Sequence, residues 1–363
     1  MSSTDLISRI ISRTLHRRDN GWIGIDIGRH QLKLAQVQKK GNRWSLTQSD
    51  LLTLPEGEYA PNAVATIADR HLRSSSFTGR NVACVASNSV SELLTMELPD
   101  GTDEEHQLMI EQNLESGDES ADEARQFAFW QGHFSRHLDD GMTQVNVVAT
   151  KRQMVTTIAE GLFRSGLHCQ VFDILPFAMV RAVSMLPGAD DERPVAAFDW
   201  SGSTPMFMII KNRIPIFTRQ FRNCGVDHVV QLLCTKLGLN RQEAQHLLEV
   251  YNAGGTAGEV ERNPVREAIA EIMAEPLKML AREFEKTLAY VKQQRFDMWP
   301  DQLWILGGGA SISSVETMLT SMTGIESRIW HLPQFTQHGS DVSPSRQALL
   351  SVAIALSSLA YDR

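Results

Sequence analysis

The chain predicts an α/β protein built from two similar halves, and three stretches carry that prediction. An apolar, strand-like run ends in Gly24-Ile25-Asp26-Ile27-Gly28. The pattern returns in altered form as Phe198-Asp199-Trp200-Ser201-Gly202-Ser203-Thr204, and a third apolar run ends in Leu306-Gly307-Gly308-Gly309-Ala310. An acid-bearing hairpin in each half, with a glycine turn before a helix, suits a phosphate site closed between two lobes.

The first lobe is expected over residues 21–190. Residues 22–27 read as a strand, Gly28-Arg29-His30 as a reversal, 31–39 as a second strand and 45–52 as a third, which makes a meander. A helix over 62–73 and a strand over 81–86 continue the α/β rhythm. Ten Asp or Glu then crowd residues 100–123 and interrupt it. An inserted subdomain is expected at about 99–150, with a strand pair at 126–133 and 144–150 leading into a helix over 151–165.

The second lobe is expected over 191–363. Strands at 195–199, 206–210 and 214–221 form another meander around the Lys211-Asn212-Arg213 turn. Helices follow at 226–237 and 241–251, then a glycine-rich loop at 252–258 and a long helix over 265–296, bent near Pro276. Together 252–298 read as a helical and loop subdomain. A strand over 303–306 delivers the triple-glycine turn, and helices over 313–322 and 345–360 close the chain.

Composition excludes several classes. At 363 residues, with 42% hydrophobic and 21% charged residues, the chain is an ordinary globular one. A formal charge of −8 and a pI near 5.8 argue against nucleic acid, whose partners carry a basic face. No apolar run approaches the roughly 18 to 20 residues that span a bilayer, and the start lacks a signal-peptide core, so a cytosolic protein is expected. Cys84, Cys169, Cys224 and Cys234 show no metal or disulfide spacing.

Residues 1–20 stand apart. Leu6, Ile7, Ile10, Ile11 and Leu15 recur at helical spacing while Arg9, Arg13 and Arg17 follow at i, i+4, so a helix over 3–18 would be apolar on one side and basic on the other. It would serve as a foot on a membrane surface or as a helix docked on protein, and the pattern alone leaves both open.

Taken together, Gly24 to Gly28 with Lys33, Thr218-Arg219 before Cys224-Gly225, the Leu237-Gly-Leu-Asn-Arg-Gln-Glu-Ala244 stretch and Leu306 to Ala310 resemble the actin-like ATPase fold. Within it, the chain resembles the type IV pilus assembly PilM, or competence protein A, family from about Trp22 to Leu359. The resemblance implies two lobes with nucleotide in the cleft and an extra subdomain in the first lobe. It further implies a place on the cytoplasmic face of the inner membrane and capture of the short tail of a PilN-like protein.

Residue by residue, the resemblance implies that Asp26 and Asp199 hold magnesium through water, and that the amides of Gly28, Arg29 and His30 face phosphate oxygens. Lys33 would neutralise phosphate or else sit as a solvated strand lysine. Gly202, Ser203 and Thr204 would donate to the second side of the phosphates, and Gly307, Gly308 and Gly309 would let adenosine or diphosphate approach the backbone. The chain departs from the family at Ser201, where glycine is expected, at Cys224 of the usual Gly-Gly pair, and at Gln245 and Leu248, where sugar-side Glu and Lys are expected. These changes predict low-affinity or absent ATP and magnesium and weak or absent hydrolysis. The leading expectation is a scaffold that is open to self-association. A small-molecule kinase of the same superfold and an FtsA-like membrane-tethered filament protein are the alternatives.

Overall fold

The computed structural model describes residues 20–41, 43–54, 61–116, 124–132, 141–187, 192–250, 264–294, 296–333, 335–338 and 340–362. The expected helix over 3–18 and the loop at 252–258 lie outside the described residues.

The first lobe opens on β1 (Ile23–Ile27), β2 (Gln31–Lys40) and β3 (Arg43–Thr53), the predicted meander, with α1 (Pro61–Ser74) and β4 (Asn81–Ala86) after it. The insert follows as β5 (Ser91–Pro99), α2 (Asp103–Ser116), β6 (Arg125–Gln131) and β7 (Met142–Lys151), and the lobe resumes with α3 (Arg152–Arg164), β8 (His168–Asp173) and α4 (Leu175–Ser184). The second lobe contains β9 (Val195–Asp199), β10 (Met206–Lys211), β11 (Ile214–Gln220), α5 (Val226–Leu237), α6 (Arg241–Val250), α7 (Pro264–Gln294), β12 (Gln302–Leu306), α8 (Val315–Thr323) and β13 (Glu326–Ile329). The chain ends with β14 (Thr336–Gln337), β15 (Ser340–Asp341) and α9 (Pro344–Ser358).

Among the described residues these strands form three sheets, ordered β15-β14-β3-β2-β1-β4-β8, β11-β10-β9-β12-β13 and β5-β7-β6. Strands β1, β4 and β8 run parallel, as do β9, β12 and β13. All five residues of β1 are buried, as expected of a strand covered on both faces. The Lys211–Ile214 turn places Asn212 and Arg213 at φ 53° and 59°, a left-handed pair that matches hairpin twist.

Two features differ from the sequence reading. The insert's sheet takes in β5, upstream of the expected start at 99, because β5 pairs with β7 from Ser91↔Thr150 to Pro99↔Met142. Its mixed exposure hides the usual in-and-out alternation. The second difference is the C-terminal stretch, expected in the second lobe, which returns to the first. Gln337 pairs with Leu46, and α9 lies against β1 and β2: Ser357 Oγ donates to the Trp22 carbonyl at 2.5 Å and accepts from the Val37 amide at 3.0 Å. A helix apolar almost all round needs walls on both sides, and the space between the lobes supplies them. Ser343 caps its start by accepting from the Arg346 amide, ahead of Pro344.

Among the described residues four apolar clusters form the core. One fills the second lobe, where Phe198, Phe207, Phe221 and Phe284 pack ring to ring around β9, β10 and α7. That places α7 within the second lobe's core. A second joins the lobes through α4, α9, Met206, Met208 and Trp330. A third lies under α1 and α3, and a small one belongs to the insert. Among the described residues no helix is long and apolar enough to cross a membrane.

Candidate functional site

The carboxyl ends of β1, β4 and β9 converge on one cleft of about 110 Å3 between the lobes. Crevices at the carboxyl ends of parallel strands are where open α/β sheets bind ligands. Asp26 ends one side and Asp199 the other, 7% and 4% exposed, and both line this cleft. The convergence of the two hairpins that their sequences predicted is therefore present.

Lys33 settles between the acids. Its Nζ donates to Asp26 Oδ2 at 2.8 Å, and its side chain is 14% exposed, so it is a buried partner rather than a solvated strand lysine. Burial works against its charge, but Asp26, Asp199 and Asp227 outweigh that and raise its pKa. Asp199 fares differently: desolvation lifts its carboxyl from 3.8 to about 6, opposed by Lys33 and reinforced by Asp26.

The hairpin turns are less available than expected. The Gly28 amide donates to the Gln31 carbonyl at 2.9 Å, so it is committed to closing its own turn. A Cβ there would sit 2.9 Å from that carbonyl oxygen, which explains the glycine. Arg29 and His30 line the cleft, and His30 Nε2 lies 3.4 Å from Asp227 Oδ2, linking the lobes. In the second hairpin, the Ser201 and Gly202 carbonyls accept from the Val226 and Asp227 amides at the start of α5. Gly202 and Ser203 line the cleft, and Ser203 Oγ is buried without a partner. Thr204 does not line it; its carbonyl accepts from Asn88 Nδ2 at 3.2 Å, a second contact between lobes.

Of the three glycines after β12, only Gly308 faces the cleft. Gly307 has φ 79°, and a Cβ on it would meet Asp199 Oδ1 at 2.3 Å; one on Gly309 would enter the Trp200 ring at 2.5 Å. Packing requires glycine at both positions, and neither lines the cleft at which they were expected to meet a nucleotide. Gly24 is another packing glycine, since a Cβ there would come within 1.9 Å of the Ala353 carbonyl oxygen on α9.

Two residues absent from the sequence-derived set shape the site most. Asp227, in the first turn of α5 where a helix N-terminus favours an anion, pairs with Arg241 at the start of α6. Its carboxylate fills the space over Gly202, where a Cβ would meet Oδ2 at 2.4 Å. Arg241 lies inside the Leu237 to Ala244 stretch, so its position was legible although its role was not. Gln245 lines the cleft, and Leu248 is a core residue at 3% exposure, so the sugar side lacks the ionic pair expected there.

The fit to a nucleotide is partial. Lys33, the partnerless Ser203 hydroxyl and the open face of Gly308 suit a phosphate-sized group. At about 110 Å3 the cleft is tight for a whole nucleotide, because pockets for such ligands run to about 300 Å3 or more, and the Asp227–Arg241 pair narrows it further. Among the described residues no cluster of three or more His, Cys, Asp or Glu could ligate a metal directly, so magnesium would be held by Asp26 and Asp199 only through water.

Comparison with solved structures shows the two-lobed actin-like architecture. The PilM-PilN type IV pilus biogenesis complex matches with a TM-score of 0.71 and 18% identity over 94% of this chain and 98% of that one. The ethanolamine utilization protein EutJ from Carboxydothermus hydrogenoformans matches with a TM-score of 0.51 and 12% identity, over 93% and 89%. The ADPNP-bound activator of the 2-hydroxyisocaproyl-CoA dehydratase from Clostridium difficile matches with a TM-score of 0.47 and 10% identity, over 94% of each chain. No curated protein matches at the level of sequence. Residues 24–358 match the family model described as type IV pilus assembly protein PilM, and the chain belongs to that family.

Proposed function

We propose that this chain is a cytoplasmic platform of a type IV pilus, competence or related secretion assembly, peripheral to the inner membrane, and that it captures the cytoplasmic tail of a PilN-like membrane protein. The observation that carries this reading is the family match across residues 24–358. Likeness over the whole chain to a structure of PilM with PilN supports it.

The tail would dock beside the insert. Sequence reading favours the side facing the first lobe. A groove of about 330 Å3 also borders the insert, walled by Thr95, Gln144 and Asn146 of its sheet and by Ile216 to Arg219 of β11, with Tyr290 beside them. Strand β11 is an edge of its sheet, and an extended tail can add to an edge through backbone hydrogen bonds. Exposed Asp103, Glu104, Glu105 and Glu115 on α2 favour a basic tail.

Nucleotide is a secondary ligand in this reading. Lys33, Ser203 and Gly308 would receive phosphate, and Asp26 and Asp199 the hydrated magnesium. Bound magnesium nucleotide would supply the charge that biases lobe closure, with hydrolysis weak or absent. A kinase role is disfavoured because Asp199, the candidate base, is 4% exposed and lies beside Lys33.

Fluorescence anisotropy with a labelled PilN-like tail peptide tests the proposal. Saturable binding that weakens with salt is expected. No binding, either to the full chain or to a chain lacking the insert, overturns it.

A further inference from the structure

The parallel strands that point their carboxyl ends at the cleft begin together on the opposite rim. Ile23, Asn81 and His168 open β1, β4 and β8, and the His168 amide donates to the Arg80 carbonyl at 2.7 Å, which ties two of these beginnings side by side. The ends of α1 and α3 reach the same rim.

That rim carries an unusual side chain. Phe163, in the last turn of α3, is 67% exposed, the highest value among the large apolar residues described. Its ring meets His168 edge to face, with centroids 6.1 Å apart. Exposed Arg164 follows it, and exposed Arg80 precedes β4; neither has an acidic partner among the described residues. Arg73 ends α1 nearby but pairs with half-buried Asp69, and Glu160 is the exposed acid on α3. An apolar ring flanked by unpaired guanidinium groups matches the interfacial region of a bilayer, where rings sit among headgroups and arginines meet phosphates.

The start of the described chain supplies a second, independent argument. Asn20 Nδ2 donates to Thr78 Oγ1 at 2.7 Å, two residues from Arg80. The described chain therefore begins at this rim. The preceding nineteen residues carry Arg9, Arg13, Arg17 and Arg18 against Asp5 and Asp19, with five Leu or Ile at helical spacing. The sequence just ahead of Asn20 is thus basic and rich in Leu and Ile, and Asn20 stands on the rim that carries Phe163, Arg164 and Arg80.

We propose that the rim formed by Phe163, Arg164 and Arg80 docks on an anionic lipid surface, with the cleft turned away from it. This deepens the peripheral-membrane reading and rests on it; the tail-capture reading is separate. An apolar side chain and basic groups acting together hold an anionic surface more firmly than either does alone.

The test is flotation of the full chain with phosphatidylcholine vesicles, with and without phosphatidylglycerol. Flotation is expected only with the anionic lipid and should fall as salt is raised. Phe163→Ser combined with Arg164→Glu should lower the floated fraction by about fivefold or more. Arg80→Glu alone should lower it less, and Phe163→Trp should preserve it. All these positions are exposed, so melting temperature and tail-peptide affinity should stay unchanged. Wild-type protein that fails to float, or floats equally on neutral vesicles, overturns the proposal, as does a double variant that floats like wild type. A double variant that melts lower while flotation holds would mean that the N-terminal segment packs over Phe163, and would also overturn it. Tail binding that persists through such failures would leave the scaffold reading standing.

Discussion

The two hairpins at the cleft began as similar sequences and have become physically different. In the first, Asp26 has its own cation, with Lys33 at 2.8 Å, and Gly28 closes a tight turn. In the second, Asp199 shares the field of Lys33 and accepts a hydrogen bond from Ser201, yet burial lifts its carboxyl to about 6, and Asp227 lies over Gly202. One side keeps its acid hydrogen-bonded to a lysine. The other keeps a carboxyl that water would have stabilised, beside an ion pair occupying ligand space. Matching motifs therefore do not guarantee matching sites: what decides is which neighbouring charge each acid receives when it is buried.

The largest effect should come from a residue that only looks like part of the site. Gly24→Val would drive a side chain into the Ala353 carbonyl, and denaturant unfolding should show a loss of about 3 kcal/mol or more. A tolerated valine would mean that α9 does not lie on β1 as described. Next comes Lys33→Met, which strands two buried acids; breaking such a pair costs about 3 to 5 kcal/mol. If that variant unfolds like the parent, the first hairpin's acid does not depend on its lysine, and the contrast with the second disappears.

Asp199→Asn probes the other side through pH. Because the folded pKa of Asp199 lies above 3.8, the native state holds a proton between pH 4 and 6 that the unfolded chain has released. Stability from this group is complete below about pH 4, falls as pH rises to about 6, and stays low above. The asparagine variant should therefore gain on the order of 1 to 3 kcal/mol at pH 8 and nothing at pH 4. Thermal melts across that range would show no such slope if the acid is in fact well solvated. Asp227→Asn removes the anion over Gly202, and calorimetry should find magnesium ATP bound about tenfold more tightly, worth about 1.4 kcal/mol; equal or weaker binding would show that the ion pair is no obstacle. The smallest effect belongs to Gly308→Ala. The nearest atom to its added methyl is Leu349 Cδ1 at 3.8 Å, so stability should change by less than about 0.5 kcal/mol.

Much of this was readable in one dimension. Both meanders, the strand before the triple-glycine turn and the acidic insert follow from local alternation and turn chemistry. Strand β8 and helix α4 were missed: β8 carries Cys169, Gln170 and partly exposed positions that blur its pattern, and α4 is so apolar that it shows no face. At the site, Asp26, Lys33, Asp199, Gly202, Ser203 and Gly308 were found from their motifs and do line the cleft. Asp227 and Arg241 were not, because an acid and a base fourteen residues apart on successive helices carry no local signature of meeting.

The sequence by itself determined two lobes of alternating strands and helices and an acid at the tip of each hairpin. These are consequences of periodicity and of residues whose backbone demands are local. Only the tertiary structure decided that α9 crosses back to the first lobe, that two of three glycines serve packing, and that Asp227 and Arg241 narrow the cleft. Each depends on atoms brought together from distant parts of the chain, where burial and charge act through space and the order of residues holds no record of it.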